Sequence, residues 1–376
     1  MENKQERRTV PFFNYSAIFA QDDSALRQVF EDVGRRGAFI LQKDLSQFET
    51  NLALFVGGRY ALGVGNATDG LHFAIRSAGI GRGDEVILSS HTMVATAAAV
   101  HFAGATPVPV DCGPDHLINP AAVEAAVTAN TRAIMPTQLN GRTCSMDALQ
   151  VIADKHDLLI IEDAAQALGS KYKGRCAGTF GIAAAISFYP AKVLGCLGDG
   201  GAVITNDDAT RERIFQMRDH GRSTSGEIVS WGMNSRLDNL QAAILDFQLE
   251  KYESVMSRRR YLAGIYTQRL QEVAELIPPP APGCDPDHFD IFQNYEIEAE
   301  RRDELKEYLK MHGVGTLIQW GGQAVHQLKA LGFTQCLPHT DKLFTRLLML
   351  PMNMSLSDDD VHYVCDRIRA FYGYAK

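Results

Sequence analysis

The chain has 376 residues, 45% of them hydrophobic, and a formal net charge of −8, which gives ample material for a core and, by length, roughly two domains. That charge and the absence of a long basic run exclude a nucleic-acid surface, and no apolar stretch approaches the roughly 18 residues that span a bilayer. Seven cysteines without CxxC spacing (Cys112, Cys144, Cys176, Cys196, Cys284, Cys336, Cys365) read as reduced thiols of a cytoplasmic protein, neither a disulfide framework nor a zinc site.

At the N-terminus Lys4, Arg7 and Arg8 stand among Glu2, Gln5 and Glu6 with no apolar segment behind them, which argues against a secretory leader. From about residue 22 to 275, short apolar strands alternate with helical stretches, the pattern of an α/β sheet. Expected strands are Tyr60–Val64, Asp84–Ser89, Thr106–Asp111, Ala133–Thr137, Leu158–Glu162, Ala184–Phe188 and Gly201–Thr205, the last two close enough to form a hairpin-like pair. Helices are expected after Gly70 to Ser77, over Thr92–Phe102 and over Met146–His156. A long amphipathic helix from near Asp238 runs toward the Pro278-Pro279-Pro280 break and bridges to a second unit. That unit carries expected strands Phe292–Ala299 and Gly315–Gln319 and helices Arg302–His312 and Asp358–Tyr372. The domain expectation is residues 1–250 for a large α/β unit and 251–376 for a small α+β unit.

Four segments fall where open α/β sheets place ligands, at the carboxyl ends of strands or next to them. Asn66-Ala67-Thr68-Asp69-Gly70 opens a helix, and its free N–H groups with the Thr68 hydroxyl suit an anion such as phosphate; an ordinary helix cap reads the same way. Ile160-Ile161-Glu162-Asp163 delivers a carboxylate from an apolar strand, costly unless the charge meets a partner such as a protonated ring nitrogen. A metal is disfavoured because no second ligand cluster accompanies it. Ser187-Phe188-Tyr189-Pro190-Ala191-Lys192 ends an apolar run in a lysine ahead of a glycine-rich turn. Desolvation there would lower the pKa of Lys192 toward a nucleophilic amine, whereas a surface lysine ending a strand would stay charged. Gly232-Met233-Asn234-Ser235-Arg236-Leu237 precedes the bridging helix and also reads as a helix start. Phosphate cradle, ring-nitrogen carboxylate and Schiff-base lysine, in that order, are the parts of pyridoxal-phosphate (PLP) catalysis, and a GxGxxG dinucleotide fingerprint is absent.

With these residues the chain resembles the DegT/DnrJ/EryC1/StrS sugar aminotransferases. The resemblance covers nearly the whole chain: Gly37-Ala38-Phe39-Ile40-Leu41 and Phe48-Glu49; Gly83-Asp84-Glu85-Val86-Ile87; Glu162-Asp163-Ala164-Ala165-Gln166; Ser187-Phe188 with Lys192 and Gly198-Asp199-Gly200-Gly201; Asn234-Ser235-Arg236-Leu237 with Gln241-Ala242-Ala243; and Leu350-Pro351-Met352-Asn353. It implies the fold type I aminotransferase architecture, a seven-stranded, mostly parallel sheet with helices on both faces and a smaller C-terminal α+β domain. It further implies that Lys192 holds PLP as a Schiff base and moves the proton between donor and cofactor, that Asp163 pairs with the pyridinium, that Ala67, Thr68 and Ser187 bind the phosphate, and that Gln166 lies near the ring hydroxyl. Asn234 would reach the phosphate from a neighbouring subunit, so a homodimer with shared active sites is expected. Glutamate would be the donor and a keto-sugar the acceptor, such as a nucleotide-linked 4-keto or 3-keto hexose.

The departures from the family's pattern fall around the acceptor. Thr92-Met93 stands where an aromatic usually stacks on the cofactor, so Met93, or failing it His91, would cover the ring. Gln138-Leu139-Asn140-Gly141 replaces a His-x-Tyr-Gly, and Gln319-Trp320 through His326 replaces a Tyr-Pro-rich stretch, which makes Gln138, Asn140, Trp320 and His326 acceptor candidates. Alternatives are an aminotransferase for another keto-sugar (a keto-octulosonate or an aminocyclitol ketone), a PLP sugar dehydratase, against which Lys192 argues, and a non-catalytic regulator, against which the pair Lys192 and Asp163 argues.

Overall fold

A computed structural model describes residues 8–374; Lys4 and Arg7, which enter the expectation about a leader, lie outside them. Seven strands form the main sheet: β1 (Tyr60–Val64), β2 (Glu85–Ser89), β3 (Thr106–Val110), β4 (Thr131–Met135), β5 (Leu159–Asp163), β6 (Ala183–Ser187) and β7 (Gly201–Thr205), in the spatial order β1-β7-β6-β5-β4-β2-β3. The β2, β3, β4, β5 and β6 pairings are parallel, while β7 runs antiparallel to both β6 and β1. The connections explain the difference. Helical crossovers Val94–Phe102 and Met146–His156 return the chain to the same end of the sheet, whereas the β6–β7 link has no helix and turns straight back. Every residue of β7, and four of five in β1, β2, β5 and β6, is buried, as expected for a sheet covered on both faces.

The helix Ala67–Ser77 lies across β6 and β7, with Leu71, Phe73, Ala74 and Ile75 buried. A run of alanines, Ala183-Ala184-Ala185, lets it approach closely. Its first turn, with Asn66 capping the Asp69 N–H at 2.9 Å, thereby sits over the β6–β7 link.

A second, three-stranded antiparallel sheet pairs Leu276–Ile277, Tyr295–Ala299 and Leu347–Leu350. The helices Tyr252–Leu270, Arg302–Met311 and Asp358–Phe371 cover it around Leu262, Tyr266, Tyr295, Ile297, Leu305, Leu348, Val361 and Cys365. Val10 joins this core, its N–H donating to Gly313 O at 2.8 Å. Two expectations are corrected. The bridging helix is two helices, Asn239–Leu249 and Tyr252–Leu270, broken at Lys251, with φ −108° and ψ 7°; Ala242, Leu245, Tyr252 and Met256 pack with Phe48, Ile186 and Phe188 in the core of the main sheet, and Leu262 and Tyr266 in that of the second. Residues 315–319 make only a single bridge, Leu317 to Met349, before the chain tightens into the turn Gln319–Gly322. Among the described residues no helix is long and apolar enough to cross a membrane, and no cluster of His, Cys, Asp or Glu could hold a metal.

Candidate active site

A cavity of about 530 Å³ opens at the carboxyl ends of β1, β2, β4, β5 and β6, and Ala67, Thr68, Met93, Asp163, Gln166, Ser187 and Lys192 all line it. Asp163 ends β5 and is buried. Its Oδ2 accepts from Thr96 Oγ1 at 2.7 Å and its Oδ1 from the Ala165 N–H at 3.2 Å. Behind it runs a file of buried hydroxyls, Thr96 to Thr92 at 2.8 Å and Thr92 to Thr137 at 2.8 Å. Burial pushes the Asp163 carboxyl above its ordinary range despite these donors and Lys192. Burial also drives the Lys192 ammonium down to about 8, against the pull of Asp163. The residue as a whole keeps some exposed surface; the desolvation belongs to its buried amine end. The site thus holds an amine poised to lose its proton and a carboxylate short of a cation.

The lysine is held by its backbone. Within the turn, Lys192 N–H donates to Tyr189 O at 2.8 Å, and Cys196 N–H to Phe188 O at 2.8 Å. From the second unit, Gln293 grips both flanks: its Oε1 accepts from Val193 N–H at 2.9 Å and its Nε2 donates to Ala191 O at 2.8 Å. Gln241 does the same at Leu197, by 2.8 Å and 3.2 Å bonds. The glycines serve close approach: a Cβ on Gly201 would sit 2.7 Å from Ala67 N, where the β6–β7 link meets the first turn of helix Ala67–Ser77. That turn, with the half-buried Thr68 and Ser187, forms a concave polar corner suited to phosphate. Backbone cradle, cation-seeking carboxylate and desolvated amine fit a phosphorylated pyridine aldehyde.

Met93 caps the helix Val94–Phe102 at the cavity wall, half exposed. His91 is instead sealed between Trp320 and Phe344, outside the lining, with burial lowering its pKa to about 4. Asn234 is exposed, outside the cavity, and bridged to Asp219. Of the acceptor candidates, only Trp320 lines the cavity. Gln138 is wholly buried, donating to Glu162 Oε2 at 2.8 Å and accepting from Cys144 N–H at 2.6 Å, which leaves nothing for a ligand. His326 is buried between Ser90 Oγ (2.6 Å) and Asp341 Oδ1 (2.9 Å). Asn140 stands behind the lining, its backbone N–H held by Gln166 Oε1 at 2.9 Å.

Several residues to which the sequence assigned no role reach the cavity: Phe12, Phe13, Tyr189, Asn294, Gln319, and Thr92 and Thr137 of the threonine file. Thr92 and Thr96 are four apart at a helix start, a spacing that could have signalled a shared face. The rest come from loops with no local pattern. Behind the far wall lies a charged cluster. Glu296, 2% exposed, stands 3.4 Å from His116 Nδ1, and His116 Nε2 stands 3.3 Å from Glu298. Burial opposes the charge on His116, but the two carboxylates outweigh it and raise its pKa to about 9. Burial likewise pushes Glu296 up, yet the net direction is down; at neutral pH the charge responsible is that of His116, since His91 is uncharged.

A profile of the DegT/DnrJ/EryC1/StrS aminotransferase family matches residues 20–369. The chain is 39% identical, over 96% of its length and 98% of the relative's, to a protein of Geobacillus stearothermophilus named a pleiotropic regulatory protein. It is 38% identical, over 98% of both chains, to the dTDP-3-amino-3,4,6-trideoxy-alpha-D-glucose transaminase of Streptomyces venezuelae. The solved structure of S. venezuelae DesV superposes with a TM-score of 0.93 at 37% identity, covering 98% of this chain and 100% of that one.

Proposed function

The chain belongs to the DegT/DnrJ/EryC1/StrS aminotransferase family, and from that membership we propose a specific assignment of its residues and substrates. It is a PLP-dependent aminotransferase of a keto-sugar, with the α/β architecture of fold type I. The observation that carries the residue assignment is the desolvated Lys192 amine sharing one cavity with the cation-seeking Asp163 carboxylate. PLP, when bound, supplies the electron sink that makes the donor's Cα proton acidic.

The rest falls to the protein. Lys192 Nζ anchors the cofactor and then carries the proton between the donor Cα and the cofactor C4′. Asp163, held by Thr96, keeps the ring nitrogen protonated. The Ala67 N-terminal turn, Thr68 and Ser187 take the phosphate, Met93 packs over the ring, and Gln166 orients its hydroxyl side. Glutamate donates the amine, and a nucleotide-linked 3-keto hexose accepts it. The relative whose name places the amino group at C3 of a dTDP-sugar supports that choice of carbon over C4.

Three further parts of the reading, the assembly, the location and the domain division, rest on other features of the chain. Among the described residues lining the cavity Lys192 is the one cation, too few for a phosphate and a dicarboxylate donor. The loop that ends in Asn234 exposes Ile228, Val229, Met233 and Trp231, the last 97% exposed. An apolar loop carrying a polar tip suits insertion beside the site of a second copy, so the working form is a homodimer with Asn234 acting across it. Seven free cysteines, five of them buried, support a cytoplasmic location. The change of core along the second bridging helix, between Met256 and Leu262, supports a division shortly after residue 250. The test is spectroscopic: the PLP-loaded protein absorbs in the visible, glutamate bleaches the band with release of 2-oxoglutarate, and a dTDP-linked 3-keto hexose restores it. A glutamate-inert band overturns the assignment.

A further inference from the structure

The two motif departures near the acceptor, at Asn140 and at Gln319-Trp320, are joined in space. Gln319 Nε2 donates to Asn140 Oδ1 at 2.6 Å and to Glu296 Oε2 at 2.7 Å, while Asn140 Nδ2 donates to Glu296 Oε1 at 2.9 Å. Asn294 Nδ2 completes the group by donating to Asn140 Oδ1 at 2.7 Å. Glu296 comes from the second sheet and Asn140 from the loop after β4, so the group also ties the two units together. The loops meet backbone to backbone, since a Cβ on Gly141 would lie 2.6 Å from Gln293 N.

A carboxylate only accepts hydrogen bonds, whereas an amide has a donating and an accepting end. With both carboxylate oxygens of Glu296 fed by amide N–H groups, the orientation of the amides is dictated. Both Gln319 N–H bonds are spent on Glu296 and Asn140, so its oxygen is the end left for the cavity that Gln319 and Trp320 line. Gln166, on the cofactor side, is held chiefly by the Asn140 backbone N–H at 2.9 Å, which no side-chain change removes, and touches the group only through a long 3.4 Å bond from Asn294 Nδ2. An amide oxygen beside an indole face suits a ring carrying hydroxyls, and the buried negative charge behind it disfavours a carboxylate.

Building on the sugar-aminotransferase reading, we propose that Glu296 is a specificity-determining positioning residue: by fixing the amide polarity of Gln319 it presents a hydrogen-bond acceptor to a sugar hydroxyl of the keto-sugar, and so governs acceptor recognition without entering the glutamate half-reaction.

Glu296→Gln tests this, because an amide at 296 can donate as well as accept and leaves Gln319 free to flip. Each half-reaction is followed separately in the PLP-loaded protein: bleaching by glutamate, and bleaching by a dTDP-linked 3-amino hexose without 2-oxoglutarate, whose half-saturating concentration is read as its KM. The expected result is a rise of about tenfold in the amino-sugar KM, with the glutamate half-reaction and the visible spectrum unchanged. Gln319→Leu keeps the Glu296 carboxylate, although it takes away the Nε2 donor to Oε2, and it removes the amide oxygen outright; it gives the same rise and also serves if Glu296→Gln does not fold. A parallel loss in both half-reactions, or an unchanged amino-sugar KM in Gln319→Leu, overturns the inference. Failure of the unaltered protein to react with glutamate would instead overturn the functional reading beneath it.

Discussion

Asp163, Ser187 and Thr68 reach the cavity from the ends of strands or the first turn of the helix that follows, whereas Gln319 and Trp320 reach it from a loop that Asn140, behind the lining, ties to the loop after β4 through Gln319. On the first side the sheet does the positioning, and each residue's place follows from where its strand stops. On the second side a buried charged cluster does it, each member hydrogen-bonded to at least one other. On the proposed reading, catalysis sits on the sheet, and discrimination on loops that a few substitutions can rebuild. Of the departures from the family's pattern, Asn140 and Gln319-Trp320 fall on that second part, while Met93 falls on the first.

The largest expected effect breaks the sheet side. Lys192→Ala should cost at least about 10⁴-fold in turnover, measured as 2-oxoglutarate formed, because anchor and proton carrier are lost together. The same residue leaves a mark on the cofactor-free protein. Its folded pKa of about 8 lies below the ordinary 10.5, so the unfolded chain binds the proton more tightly, and stability should rise between those pH values. Thermal unfolding of the apo protein across that range should show the gain, and Lys192→Met should abolish it.

Asp163→Asn should cost about 10²- to 10³-fold in turnover through loss of the partner for the ring nitrogen. It should also raise the unfolding temperature of the apo protein. Burial holds the Asp163 carboxyl above its ordinary value, so the charged form weakens the fold as pH rises through the carboxylate range, and an amide carries no such cost. A lower unfolding temperature in the variant would contradict this account of the site.

How far these residues were legible in the sequence follows the same division. All seven strands of the main sheet stand as apolar runs, and Asp163, Ser187 and Lys192 were found because each sits at the end of one or just beyond it. Gln138 and Asn140 follow a strand too, but whether a polar side chain there turns toward the ligand or into the core depends on partners far along the chain. Glu162 claims Gln138, and Glu296, Asn294 and Gln319 claim Asn140. His326 was placed at the acceptor by its neighbourhood to Trp320, yet Ser90 and Asp341 draw it into the interior. Leu347-Leu348-Met349-Leu350 forms a buried strand that its apolar run announces, though the expectation for the second sheet fell instead on residues 315–319. Those residues lack the ladder partners to extend beyond one bridge, and the positive φ of Trp320 (48°) ends any extended run.

Smaller effects sharpen the contrast. Thr96→Val removes one donor to the Asp163 carboxylate and should weaken PLP binding by about tenfold, read by fluorescence titration of the apo protein. Gln138→Met should destabilise the fold by about 1–3 kcal/mol in denaturant unfolding, because it leaves the buried Glu162 short of a donor, while the acceptor KM stays unchanged. A shifted KM there would return Gln138 to the substrate side.

The most direct test is a single titration followed by absorbance: the PLP-loaded protein and Lys192→Ala, each mixed first with glutamate and then with a dTDP-linked 3-keto hexose. The account predicts a visible band in the unaltered protein that glutamate bleaches and the keto-sugar restores, with neither change in Lys192→Ala. A Lys192→Ala protein that still cycles between the two states, or an unaltered protein whose band glutamate leaves intact, would contradict it.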